Sequence, residues 1–374
     1  MGAVTTPIEH FHPFVPAGGV GSRLWPLSRA DAPKFLLDLT GSGSSLLRAT
    51  YDRLAPLSGG RVMVVTGRTH APAVSAQLPE LAAADLVLEP SPKDSAAAIG
   101  LACMLLLRRD PEAIVGSFAA DHVIQPAAAF QEVVREAVAA AASGRIVTIG
   151  IPPTSPATGF GYIRAGAPLG LEAAPHALQV EEFVEKPDEE TARAYVAGGD
   201  YTWNAGMFVA PAALLLAHLR RSEPELHAGL AEIADAWGTL AQDEVVDRVW
   251  PGLPKTAIDY AVAEPAAAAG DVAMVPATFT WDDVGDFAAI HRLNRVDPAG
   301  DSDVAVLGEN TRVLADASSG VVVSDTGRLV ALIGVEDIVV VDTPDALLVT
   351  TREHAQRVKD AVNSLKRSGD TDVL

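Results

Sequence analysis

The chain has 374 residues, 49% of them hydrophobic and 20% charged, a balance that suits a well-cored globular protein and argues against a disordered one. Asp and Glu number 48 against 28 Lys and Arg, a formal net charge of −20, so neither nucleic acid nor an anionic membrane surface is expected as a partner. A single cysteine, Cys103, excludes an internal disulfide and a multi-cysteine metal site; set in the apolar run AAAIGLACMLLL, it reads as core.

The opening MGAVTTPIEH lacks a basic, then apolar, leader pattern, and no apolar run reaches membrane-spanning length, so a cytoplasmic protein is expected. FHPFVPAGG reads as a strand entering a glycine turn. RVMVVTG (61–67), DLVLEP (85–90), AIVGSFAADH (113–122) and RIVTIGI (145–151) follow as apolar strands. Between them SSLLRATYDRL, APAVSAQLPEL, SAAAIGLACMLLLRR and FQEVVREAVAAA carry the spacing of amphipathic helices. This alternation predicts an α/β fold, a mostly parallel sheet covered on both faces in a three-layer, Rossmann-like arrangement. Ligands of such sheets bind beyond the carboxyl ends of the strands.

The pattern loosens near PPTSPATGFGYI; VEEFVEKP (180–187) then reads as a strand, DEETARAYVAGG as a helix closed by glycine, and WNAGMFVA as the lead into another strand. Helices are expected over most of 211–249. Residues 303–350 break into short β-rich runs, from VAVLG to ALLVT, and REHAQRVKDAVNSLKR closes the chain as a helix. Two domains are expected: a large α/β domain over 1–292 and a small β-rich domain with a terminal helix over 293–374.

PAGGVGSRLWPLSRADAPKFL (16–36) places three glycines, two arginines and a lysine on an otherwise acidic body. The dinucleotide fingerprint fails, because Leu24 stands where its third glycine belongs, and the P-loop fails for want of a Gly-Lys-Ser/Thr. What remains is a strand, a glycine turn and nearby cations, a geometry that turns backbone N–H groups toward phosphate oxygens. The plain alternative is a surface turn with solvated cations.

The full string resembles the G-G-x-G-x-R-L-x-P-L-S-R-x-x-x-P-K block of mannose-1-phosphate guanylyltransferases, members of the sugar-nucleotide pyrophosphorylase superfamily. EPSPKDSAAAIG, AADHVI, TGFGYI, FVEKP, WNAGMF, AIDYAVAE, WDDVGDF and VVVDTPDALLV extend the likeness in order along nearly the whole chain. The resemblance implies a nucleotidyltransferase domain followed by a β-helix-like one. It implies the reaction GTP + mannose 1-phosphate giving GDP-mannose + diphosphate, with Mg²⁺ as cofactor.

By the same resemblance Gly18, Gly19, Gly21 and Ser22 wrap the nucleotide, while Arg23 and Lys34 act on its phosphates. Asp121 and Asp283 are the implied metal ligands, with Asp282 the weaker choice. Ser95 lies in the segment implied to meet the nucleoside, where Lys93-Asp94-Ser95 and Ala97 depart from the commoner Arg-Asn-Thr and Pro. Lys186 is implied to hold the sugar phosphate, with Glu185, Asn204, Gly161 and Tyr162 forming the sugar pocket and Trp203 its wall. Local alternatives are an N-cap role for Asp121, a turn role for Asp282 or Asp283, and an ordinary surface pair for Glu185 and Lys186. Two other functional readings stand beside the main one: the same reaction on another sugar 1-phosphate or NTP, and a non-catalytic paralogue that senses a sugar nucleotide. A homodimer, through the β-rich domain, is a further expectation.

Overall fold

The protein is described here by a computed structural model, in which residues 6–295, 303–309 and 311–374 are described. They form two compact units, each discontinuous in sequence. The first comprises residues up to Gly18, Thr50–Ala120 and Ile124–Trp281; the second comprises Gly19–Ala49, Asp121–Val123 and residues from Asp282 onward. A division at 292/293 cuts the chain differently from these units.

In chain order the strands to residue 282 are β1 (Phe11–Ala17), β2 (Met63–Gly67), β3 (Leu86–Glu89), β4 (Ile114–Ser117), β5 (Val123–Gln125), β6 (Ile146–Ile151), β7 (Gly161–Pro168), β8 (Leu178–Val184), β9 (Tyr201–Pro211), β10 (Val272–Pro276) and β11 (Thr280–Asp282). Nine of them build the main sheet in the order β3-β2-β1-β4-β9-β6-β10-β8-β7. β3, β2, β1 and β4 are parallel neighbours, as are β6 and β10. The long β9 runs against β4, β6 and β7, and β8 against β10 and β7, so the sheet is mixed where a mostly parallel one was expected.

β1 shows why its sequence is apolar with little alternation. Phe11, Phe14, Val15 and Ala17 are fully buried, as a central strand covered on both faces requires. The helix Ser95–Arg109 has its residues from Ala96 to Leu106 buried, Cys103 among them, which confirms that cysteine as core. Apolar side chains of the helices Ala212–Ser222 and Pro224–Ala236 join the same core.

The second unit carries β12 (Asp303–Leu307), β13 (Arg312–Asp316), β14 (Ser319–Ser324), β15 (Leu329–Ile333), β16 (Ile338–Asp342) and β17 (Leu347–Thr351). From β12 to β16 successive strands alternate between two sheets, β12-β14-β16-β17 and β13-β15, with parallel pairing except at β17. Gly320 is required where β14 meets β16, since a Cβ there would lie 1.9 Å from Ile338 O. The core of this unit joins Val321, Val323, Val339 and Val341 to Leu24, Leu39, Val284 and Phe287. The closing helix Val358–Ser368 is preceded by a 3-10 turn, Arg352–Arg357, over residues expected as its first turns.

Candidate active site

The glycine turn begins where β1 ends. Gly19 (φ +82°) and Gly21 (φ +75°) adopt left-handed backbone. Gly21 has no room for a side chain either, because a Cβ would lie 2.6 Å from Lys34 Cβ. Gly18 shows neither constraint and is exposed. Ser22, half-buried, opens the 3-10 turn Ser22–Leu24, in which Leu24 is fully buried and Arg23 exposed. Ser28 Oγ donates to Gly21 O at 2.6 Å and Lys34 N donates to Val20 O at 3.1 Å, closing residues 20–34 on themselves.

Lys34 is buried, only 7% exposed, and so is no snorkelling surface lysine. Its Nζ donates to Asp121 Oδ2 at 2.6 Å and to the main-chain oxygen of Asp283. Burial pushes the Asp121 carboxyl up, but Lys34 and His122 beside it prevail and hold it below the ordinary range. Asp121 is not an N-cap, since the next helix, Ala127–Ala141, starts from Pro126. Asp283 behaves in the opposite way. Burial raises its carboxyl; Lys34 opposes this, and Asp282, Asp121 and Asp286 add to it.

Asp282 is already committed, accepting from Val284 N at 2.8 Å and from Arg292 Nη2 at 2.8 Å. Val284 sits at φ +46°, a costly conformation for a β-branched residue, immediately after Asp283. On its other side, a Cβ on Gly285 would come within 3.1 Å of Asp283 Oδ2.

The donor set fits a hard divalent cation. Two carboxylates lie beside one lysine, and the surplus negative charge around Asp283 is what such an ion would relieve. Among the described residues no group of three or more His, Cys, Asp or Glu could hold a metal ion.

The first unit holds a second polar cluster. Lys186, after β8, lies in left-handed backbone (φ +48°), and its Nζ donates to Glu185 Oε1 at 2.6 Å. Burial lowers the Lys186 ammonium, but its bond to Glu185 and the charges of Glu185 and Asp259 outweigh this and raise it. The Glu185 side chain is 4% exposed and that of Lys186 49%, so the pair joins a buried carboxylate to an ammonium at the surface. Among the described residues the buried Oε2 of Glu185 has no hydrogen-bond partner. Gly161 makes room for it, since a Cβ there would lie 2.5 Å from that oxygen.

Asn204, on β9, is buried and held on three sides. Its Oδ1 accepts from Thr148 Oγ1 (2.8 Å) and Gly206 N (3.2 Å), and its Nδ2 donates to Asp259 Oδ1 (2.8 Å). Asp259 opens a π-helical turn, Asp259–Ala263. Burial, with Glu185 nearby, pushes its carboxyl up to about 6. Asp259 lies within AIDYAVAE, one of the blocks that carry the resemblance, and is a residue to which the motifs alone assign no part.

Two sequence-derived residues take supporting places. Tyr162 is fully buried and its hydroxyl donates to Ala157 O at 2.9 Å, so it braces the preceding loop. Ser95 Oγ accepts from Ile258 N at 2.9 Å and so ties the helix Ser95–Arg109 to the residue before Asp259. Lys93, in the same segment, donates to Pro251 O (2.6 Å) and Leu253 O (2.7 Å). Trp203 is buried and meets Phe160 edge-on with ring centroids 5.1 Å apart.

A mixed α/β sheet, a glycine turn with basic residues after its first strand and a β-helix-like unit define a nucleotide-transfer protein class. The chain belongs to the nucleotidyl transferase family, whose model matches residues 13–299, and residues 310–365 match the MannoseP isomerase/GMP-like beta-helix domain. It is 38% identical to the xanthan biosynthesis protein XanB of Xanthomonas campestris pv. campestris (strain B100), over 96% of this chain and 73% of that one. It is 37% identical to the mannose-1-phosphate guanylyltransferase of Escherichia coli K12, over 96% and 74%. Among solved structures, one described as a mannose-1-phosphate geranyltransferase from Thermus thermophilus matches with a TM-score of 0.83 and 34% identity, covering 96% of this chain and 99% of that one.

Proposed function

We propose that the protein is a mannose-1-phosphate guanylyltransferase, converting GTP and mannose 1-phosphate to GDP-mannose and diphosphate. The observation that carries the reading is the pairing of Lys186 with Glu185. One residue offers an ammonium for a phosphate; the next offers a buried, unpartnered carboxylate oxygen for a hydroxyl. A sugar phosphate supplies both.

In this reading Gly18, Gly19, Gly21, Ser22 and Arg23 bind the triphosphate of GTP. Arg23, exposed and without a protein partner among the described residues, offsets charge on it. Lys34 fixes Asp121 and lends positive charge on the same side. Asp121 and Asp283 would hold Mg²⁺, which supplies charge neutralisation to the phosphates. Lys186 fixes the phosphate of mannose 1-phosphate, and Glu185 and Asn204 orient its hydroxyls. A sugar-phosphate oxygen then attacks the α-phosphorus of GTP, the bond to the bridging oxygen breaks, and diphosphate leaves with the electron pair. The chemistry needs position and charge more than proton transfer.

The domain division at 292/293 and a cytoplasmic location, where GTP and sugar phosphates are found, belong to the same proposal. Among the described residues no helix is long and apolar enough to cross a membrane.

Lys186→Ala tests the assignment. Its KM for mannose 1-phosphate is expected to rise tenfold or more (roughly what loss of a charge-assisted phosphate contact costs) while KM for GTP stays within about twofold. Equal losses for both substrates contradict it.

A further inference from the structure

We propose that Arg29 and Asp345 are positioning residues for the nucleotide loop, so that the turn between β16 and β17 is part of what shapes the triphosphate site. The proposal rests on the reading that residues 18–34 bind the phosphates of GTP. Arg29 shares the signature stretch with Arg23 and Lys34, yet its guanidinium is engaged entirely within the protein. Nη2 donates to Asp345 Oδ1 at 2.7 Å and Nη1 to Asp345 Oδ2 at 3.1 Å, a bidentate pair. Nη2 also reaches Thr343 Oγ1 at 3.4 Å, and Nε donates to Pro26 O at 2.8 Å. The anion held by this arginine is a carboxylate of the β-rich unit.

Both ends of the clamp are built to hold still. On the β-rich side Thr343 N donates to Ala346 O at 2.9 Å and Thr343 Oγ1 to Asp345 Oδ1 at 3.0 Å. The turn follows β16, whose Val339 and Val341 are fully buried in the core that also holds Leu24. On the loop side Arg29 N donates to Ala32 O at 3.0 Å, and its neighbour Ser28 holds Gly21 O. Trp25 Nε1 adds a second anchor on Val373 O at 2.6 Å. Fixing Arg29 therefore fixes the path of the chain between Gly21 and Lys34. A loop ordered before substrate arrives avoids losing that conformational entropy on binding.

The test uses the full chain with Asp345→Ala and Asp345→Glu, measuring kcat, KM for each substrate and the unfolding midpoint. Asp345→Ala is expected to raise KM for GTP roughly tenfold, with KM for mannose 1-phosphate within about twofold, because only one loop is loosened. The midpoint should move by no more than about 3 °C, since an ion pair with a half-exposed partner adds little stability. Asp345→Glu, which keeps the charge, should recover most of the GTP affinity. An unchanged KM for GTP in Asp345→Ala overturns the proposal, as does a parallel rise in both KM values with a falling midpoint. A wild-type protein that uses no GTP with any sugar phosphate overturns the underlying reading and the proposal with it.

Discussion

In the proposed reading Glu185 and Asn204 would divide the sugar's hydrogen bonds between acceptor and donor. The oxygen of Asn204 is taken by Thr148 and Gly206, and one amide hydrogen by Asp259, leaving one N–H to donate; Glu185 Oε2 has only acceptance to offer. Asp259 fixes which way the Asn204 amide points, and its raised carboxyl has a sign that can be checked. A folded-state value near 6 against about 4 unfolded means that the native state holds the extra proton between them. Stability should therefore fall as pH rises from about 4 to 6 and level off above, and Asp259→Asn should remove that slope in urea midpoints; an unaltered slope contradicts the assignment. A second contrast separates neighbouring carboxylates. Asp283→Asn should cut Mg²⁺-dependent turnover about 100-fold or more, as expected for a group acting on developing charge. Asp282→Asn, at a carboxylate that accepts from Val284 N and Arg292 Nη2, should keep activity within a few-fold. The resemblance at WDDVGDF makes Asp282 the weaker choice, and the contacts of Asp282 offer a physical reason. What could not be read was the engagement of Lys93 and Ser95 with segments some 160 residues away, which no local pattern encodes.

The helix Ser95–Arg109 was legible from its sequence because its apolar run and its Asp94-Ser95 start both favour helix there, and Asp94 does cap Ser95 N. β7 and the π turn Asp259–Ala263 were not legible. β7 loses its alternation in GYIRAGAP, and a π turn has no periodicity distinct from that of an α-helix. Sheet order was hidden for the same reason: inserting β9 between β4 and β6 depends on pairings far apart in sequence. Ser95 connects these elements, since its hydroxyl receives the otherwise buried Ile258 N–H just ahead of Asp259. Ser95→Ala should leave that N–H unsatisfied and cost about 1–2 kcal/mol, read from denaturant unfolding. A loss below a few tenths would mean the bond does not hold the turn.

The hydrophobic cores do not follow sequence order. Leu24, Leu39 and Leu46, from the stretch after the glycine turn, share a core with Val321, Val339 and Ala355 near the other end of the chain. A β-rich tail that looked separable from composition therefore supplies the packing under the residues expected to meet GTP. That role was invisible in the sequence because alternating valines reveal a buried face and not its partner. The grouping of charged residues was more legible than the packing: Lys34, Asp121 and Asp283 stand in separate motifs, and the structure brings them into one cluster. The decisive measurement is diphosphate release by the purified protein with Mg²⁺, across the four common NTPs and several sugar 1-phosphates. The account predicts strong preference for GTP with mannose 1-phosphate and stoichiometric GDP-mannose; release with a different pair, or none despite sugar-nucleotide binding, would contradict it.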